Sequence, residues 1–113
     1  MRVQVQARGI ERDSELVGFV QRRAQFALGR FSGFVQSVSV RLWEDPEPPA
    51  QCGCDVRVLC GFQTPLKVRA QHNSYSAAVI DALDRAERAV SRHWYALRDP
   101  SHSAPPSAVP FGD

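Results

Sequence analysis

Residues 2–8 read Arg-Val-Gln-Val-Gln-Ala-Arg, apolar at every second position and polar between. Successive side chains of an extended strand point to opposite sides, so this period buries one face and leaves the other in water. Three later stretches keep the rhythm: 35–43 with Val38, Val40 and Leu42 inward, 53–60 with Val56 and Val58, and 66–71 with Leu66, Val68 and Ala70. Four half-buried strands need a cover on one side only. Two helical patterns supply it. Between the first and second strands, Leu16, Val20, Ala24, Ala27 and Phe31 recur at three- and four-residue steps. There Asp13 is the expected N-cap, Glu15 suits the first turn and Gly33 ends the helix near Phe31. After the fourth strand, Asn73 or Ser74 can cap a helix to about Leu97, with Val79, Leu83, Ala86 and Val90 on its packed side. Residues 44–51 and 61–65 read as turns and loops from their prolines, acids and glycine.

The element order β-α-β-β-β-α predicts an α+β two-layer sandwich, a four-stranded mixed sheet with both helices on one face. The first two strands run parallel through a right-handed crossover, and the rest form a meander. The 113 residues suffice for one domain over 1–98, followed by a Pro-rich tail over 99–113 that is expected to be disordered. A hydrophobic share of 43% with 23% charged residues is that of a globular soluble chain. Neither a bilayer-spanning apolar run nor a signal peptide is visible, so a cytoplasmic protein without a membrane partner is expected. Three cysteines, Cys52, Cys54 and Cys60, suit reduced thiols used as small core residues.

Charge is distributed unevenly. Residues 1–98 hold all 14 Lys and Arg but only ten of the 12 acids, and Glu44, Asp45 and Glu47 share one loop. Strand alternation places Arg2, Arg8, Arg41, Arg57, Lys67 and Arg69 on the open face of the sheet, with Asp55 as the single acid among them. On the last helix Arg85, Arg88 and Arg92 fall within about a 60° arc opposite the packed stripe. They gain nothing from packing there. Asp81 and Asp84 stand one turn before Arg85 and Arg88 and can pair with them. Arg22, Arg23 and Arg30 add cations from the first helix. Trp43, at an exposed strand end, either stacks on a base or packs under a loop.

Catalytic patterns are missing. Cys52-x-Cys54 lacks zinc-site spacing, and Cys54 and Cys60 lie about 20 Å apart along a strand. No Ser-His-Asp or Cys-His grouping, P-loop, dinucleotide fingerprint or H-E-x-x-H occurs. The expectation is a non-enzyme without cofactor, metal or small-molecule substrate.

Residues 75–93, Tyr-Ser-Ala-Ala-Val-Ile-Asp-Ala-Leu-Asp-Arg-Ala-Glu-Arg-Ala-Val-Ser-Arg-His, are similar to a signature helix of the ribosome hibernation-promoting factors. These are also called ribosome-associated inhibitors or sigma-modulation proteins. Residues 15–23 and the pair Arg30-Phe31 resemble that family's first helix, and the likeness runs from residue 1 to about 97. The family often has a further cation where this chain has Phe26 and Ala27. The resemblance implies a short-form protein, a monomer off the ribosome. Its partner would be the small ribosomal subunit and its ribosomal RNA near the decoding region, where it silences translation by occlusion in stress or stationary phase. On that reading Arg22, Arg23, Arg85, Arg88 and Arg92 are phosphate contacts and His93 stands where the family often has His. Arg30 joins them on the helices, and Arg2, Arg8, Lys67 and Arg69 form a second basic surface on the sheet. The alternative on the same fold is a protein-interaction adaptor in transcription or a stress pathway, binding through the sheet around Trp43 and Leu59.

Overall fold

The computed structural model describes residues 1–8, 14–47, 51–61 and 64–98. Strand β1 (Arg2–Arg8) pairs in parallel with β2 (Val35–Asp45), and β3 (Gln51–Cys60) and β4 (Leu66–His72) follow antiparallel. The sheet order is therefore that of the chain, β1-β2-β3-β4. Helix α1 (Ser14–Leu28) joins the two parallel strands, and α2 (Tyr75–Arg98) follows the last. This is the β-α-β-β-β-α sandwich expected from the alternation.

One apolar layer holds the two sides together. Val5, Val38, Val40, Leu42, Val56, Val58 and Ala70 of the sheet meet Val20, Ala24 and Leu28 of α1 and Val79, Leu83, Ala86 and Val90 of α2. No polar or charged residue is buried among the described residues. The helices run in the same sense: Arg30, just past α1, meets Glu87, and Phe31 then packs on Trp94 with ring centroids 6.0 Å apart. Ser74 is the cap of α2, its Oγ accepting from the Ala77 N–H at 3.2 Å, which satisfies one of the helix's first amides. The Asp13 cap expected for α1 and the 99–113 tail lie outside the described residues.

Several boundaries differ from the sequence reading. Helix α1 ends at Leu28, and its final turn tightens into a 3-10 turn over Gly29–Phe31, closed by the Ser32 N–H on the Gly29 carbonyl. Strands β2 and β3 extend over Glu44, Asp45, Gln51 and Cys52, beyond the strand ends at 43 and 53 that the prolines and acids suggest. Their ladder continues past the point where acidic residues suggest a turn, because pairing across the hairpin satisfies those backbone groups. A register shift between Val35 and Ser37 marks a β-bulge. It brings Val35 into the core although strict alternation from Val38 would turn it outward.

Candidate nucleic-acid interface

Two cation-bearing surfaces lie on opposite sides of the sandwich. The helical one is set by α2. Its packed stripe fixes the rotation of the helix, so Arg85, Arg88 and Arg92 all emerge into solvent. Their partners differ. Arg85 Nε sits 3.0 Å from Asp81 Oδ1, one turn back, and its guanidinium also donates to the Arg69 carbonyl at 3.2 Å. The Asp84–Arg88 pair expected from the same spacing is not formed. Arg88 and Arg92 have no carboxylate partner among the described residues. Asp81 is already committed, since it also accepts from His72 Nε2 at 2.8 Å. Those bonds from His72 and Arg85 hold its carboxyl below the usual range.

Helix α1 contributes unequally. Arg22 is exposed beside Glu15, Phe19 and Ser76 in a shallow recess between the helix starts. Arg23 is half-buried, its Nε is shielded without a partner, and its guanidinium lies 4.9 Å from the centre of the Phe26 ring. Arg30 is ion-paired with Glu87 and stacked on Phe31. His93 is turned away from the arginines: it packs on Phe34 at 5.8 Å, with Nε2 shielded and unpartnered. Among the described residues Phe26, Tyr95 and Leu97 are the large apolar side chains left exposed, and Phe26 is 77% accessible.

The second surface is the open face of the sheet. The register aligns Gln6, Arg41, Asp55 and Arg69 in one cross-strand row and Gln4, Ser39, Arg57 and Lys67 in the next. Arg2, Arg41, Arg57, Lys67 and Arg69 are all exposed. Arg8 occupies the β1 position opposite Trp43, and its side chain lies outside the described residues. Asp55 is the hub of the first row. It accepts from Arg41 at 3.0 Å, from Arg69 at 3.0 and 3.3 Å, and from Trp43 Nε1 at 3.1 Å. Partial burial alone raises its pKa, but the bonds from Arg69, Arg41 and Trp43 outweigh that and hold the carboxyl below its ordinary value.

Sequence reasoning missed the seat of Trp43. The indole lies directly over Gly53, where an added Cβ would come within 2.2 Å of it, and Arg69 covers the ring at 5.0 Å from its centre. Gly53 is thus a close-approach glycine. The two residues pair across β2 and β3, a register that alternation within each strand does not reveal. With Gly53 beneath it and Arg69 over it, the ring is a packed group rather than an open stacking platform.

Two of the thiols are held neutral by burial. All three cysteines are free, and burial pushes Cys54 up to about 12 and raises Cys60 as well, so both stay neutral at physiological pH. No group of His, Cys, Asp and Glu able to hold a metal ion occurs among the described residues. No described helix is long and apolar enough to cross a membrane.

The family model described as Sigma 54 modulation protein / S30EA ribosomal protein matches residues 3–97. Two solved structures share the fold. One is a ribosomal subunit interface protein from Coxiella burnetii, with 11% identity and a TM-score of 0.71 over 84% of this chain and 99% of that one. The other is the N-terminal domain of Protein Y from Thermus thermophilus, with 18% identity and a TM-score of 0.71 over 82% and 99%. Among curated proteins no match is found.

Proposed function

The chain belongs to the sigma 54 modulation protein / S30EA ribosomal protein family, and on that premise we propose that it binds the small ribosomal subunit through ribosomal RNA near the decoding region and silences translation by occupying that space. The observation that carries this reading is the state of Arg22, Arg88 and Arg92. All three are exposed on the helical side and have no anionic partner among the described residues. An exposed guanidinium that neither packs nor pairs is available to grip phosphate through its planar fork. Arg85 stands in the same stripe but is steered by Asp81, and Arg30 is neutralised by Glu87. The working contacts are therefore Arg88 and Arg92 on α2, Arg22 nearer the start of the helices, and Arg85 after exchange of its carboxylate for phosphate.

Such a surface suits occlusion better than sequence readout. A-form RNA shows proteins its backbone and shape, so a stiff sandwich with cations held at fixed positions can recognise a folded RNA site without reading bases. Occlusion needs no catalytic group, and the shared core of helices and sheet supplies the stiffness. Bound in stress or stationary phase, the protein would keep small subunits idle in the cytoplasm by denying the site to messenger and transfer RNA.

Changing Arg85, Arg88 and Arg92 together to Glu tests the reading. The three side chains are exposed, so the fold is expected to survive, and co-sedimentation with small subunits is expected to be lost. Normal co-sedimentation by the folded triple variant would remove α2 from the interaction.

A further inference from the structure

We propose that the open face of the sheet is a second phosphate-binding surface, which takes an extended single strand of RNA along β3 and β4 on the side away from the helices. It rests on the charges of the sheet itself and stands whether or not α2 meets ribosomal RNA.

Arg57 and Lys67 are direct cross-strand neighbours, both exposed. Like charges in that arrangement repel, and an anion bound between them relieves the repulsion. None is provided among the described residues. Asp55, the carboxylate of the neighbouring row, is already taken up by Arg41, Arg69 and the Trp43 indole. Arg2, at the edge of the same face, is likewise without a partner among the described residues. Neighbouring strands thus hold a surplus of positive charge that nothing in the described molecule offsets.

The shape of the surface extends that charge into a trough. A concavity of about 570 Å³ is floored by Ser39 and Asp55 and rimmed by Arg41, Arg57, Lys67 and Arg69. A second, of about 240 Å³, shares Ser39 and Arg57 and continues to Ser37, Leu59 and Pro65. Together they run along the strands, from the Arg69 row past Arg57 and Lys67 towards the Arg2 end. Successive rows on one face are about 6.8 Å apart, comparable with the spacing of phosphates in an extended single strand. Ser37 and Ser39 add hydroxyl donors between the rows.

An acidic protein partner is the other polyanion such a face can meet, but a protein interface is anchored by aromatic or aliphatic groups set in desolvated pockets. Here Trp43 is closed off by Gly53 and Arg69, which leaves Leu59 and Pro65 alone among the described residues. The same closure of Trp43 means that binding comes from the RNA backbone with little preference among bases.

The test uses fluorescein-labelled U12 RNA, followed by anisotropy. Wild-type protein is expected to bind at 50 mM salt. Three free cations correspond to a log K against log salt slope near −2, about a 20-fold loss between 50 and 200 mM. Arg57→Gln/Lys67→Gln is expected to bind U12 at least tenfold more weakly, with a shallower slope and an unchanged circular dichroism spectrum. The Arg85→Glu/Arg88→Glu/Arg92→Glu protein is expected to keep most U12 affinity, and poly-glutamate of matched charge to compete poorly. The proposal is overturned by absent wild-type binding, by a double variant as tight as wild type, by loss of U12 binding in the helix variant, or by equal competition from poly-glutamate. Co-sedimentation with small subunits, run on the same proteins, reads the ribosome interaction separately from the U12 result.

Discussion

Replacing Asp55 with Asn should weaken the fold while strengthening its hold on RNA. The carboxylate is 20% exposed and bonds two guanidinium groups and an indole N–H. Charge-assisted hydrogen bonds are worth about 1.5–3 kcal/mol when sheltered, but the Arg41 and Arg69 side chains are 44% and 64% exposed. Solvent screening reduces each pair to under about 1 kcal/mol. The Asn carbonyl can still accept from the indole, so the net loss is about 1–2 kcal/mol. For a domain of about 100 residues this lowers Tm by about 5–10 °C, measured by thermal circular dichroism at pH 7. The effect has a definite pH dependence. Because the folded-state pKa of Asp55 is depressed, its stabilisation is present above the unfolded carboxylate value and is lost as pH falls through the folded one. The gap between wild type and variant should therefore narrow from pH 7 towards pH 3. Freed of their acid, Arg41 and Arg69 should also tighten U12 binding several-fold at 50 mM salt. An unchanged Tm at pH 7, or a gap as wide at pH 3 as at pH 7, would refute the hub assignment.

Gly53→Ala forces a Cβ into the Trp43 indole; overpacking of this kind costs about 1–3 kcal/mol, and a lower Tm with altered tryptophan fluorescence is expected. Ser74→Ala removes the α2 cap, worth about 1 kcal/mol, and should lower Tm by about 5 °C while leaving small-subunit binding intact. Neutralising Lys67 to Gln relieves its repulsion with Arg57, worth about 0.2–1 kcal/mol, so Tm should rise by a few degrees, read by the same melt. With three unpartnered helical arginines, ribosome binding should show a log K against log salt slope near −3, about a 40-fold loss from 50 to 200 mM. A sedimentation titration checks the slope, and engagement of Arg85 and Arg23 as well would steepen it beyond −4.

The sheet's two faces were legible because alternation is local: Val38, Val40 and Leu42 inward forces Ser39, Arg41 and Trp43 outward. The arginine stripe of α2 was legible for the same reason, since Val79, Leu83, Ala86 and Val90 fix the rotation of the helix. The state of each cation was not. Asp81–Arg85 is an i, i+4 pair that spacing announces, whereas Arg30–Glu87 joins residues 57 apart and depends on how α1 packs against α2. Spacing alone also promised Asp84–Arg88, which does not form. The bulge at Val35 and Ser37 carries no turn residue in the sequence, and the indole of Trp43 reaches its place only because the opposing residue is glycine. Periodicity thus locates a side chain on a face; tertiary packing decides whether its charge remains free.

Hydroxyl-radical footprinting of small subunits, with and without the protein, tests the central claim most directly. Wild-type protein should protect ribosomal RNA backbone around the decoding region, and the Arg85→Glu/Arg88→Glu/Arg92→Glu protein should leave the same nucleotides fully cleaved. Protection confined to another part of the subunit, or an identical footprint from the triple variant, would contradict it.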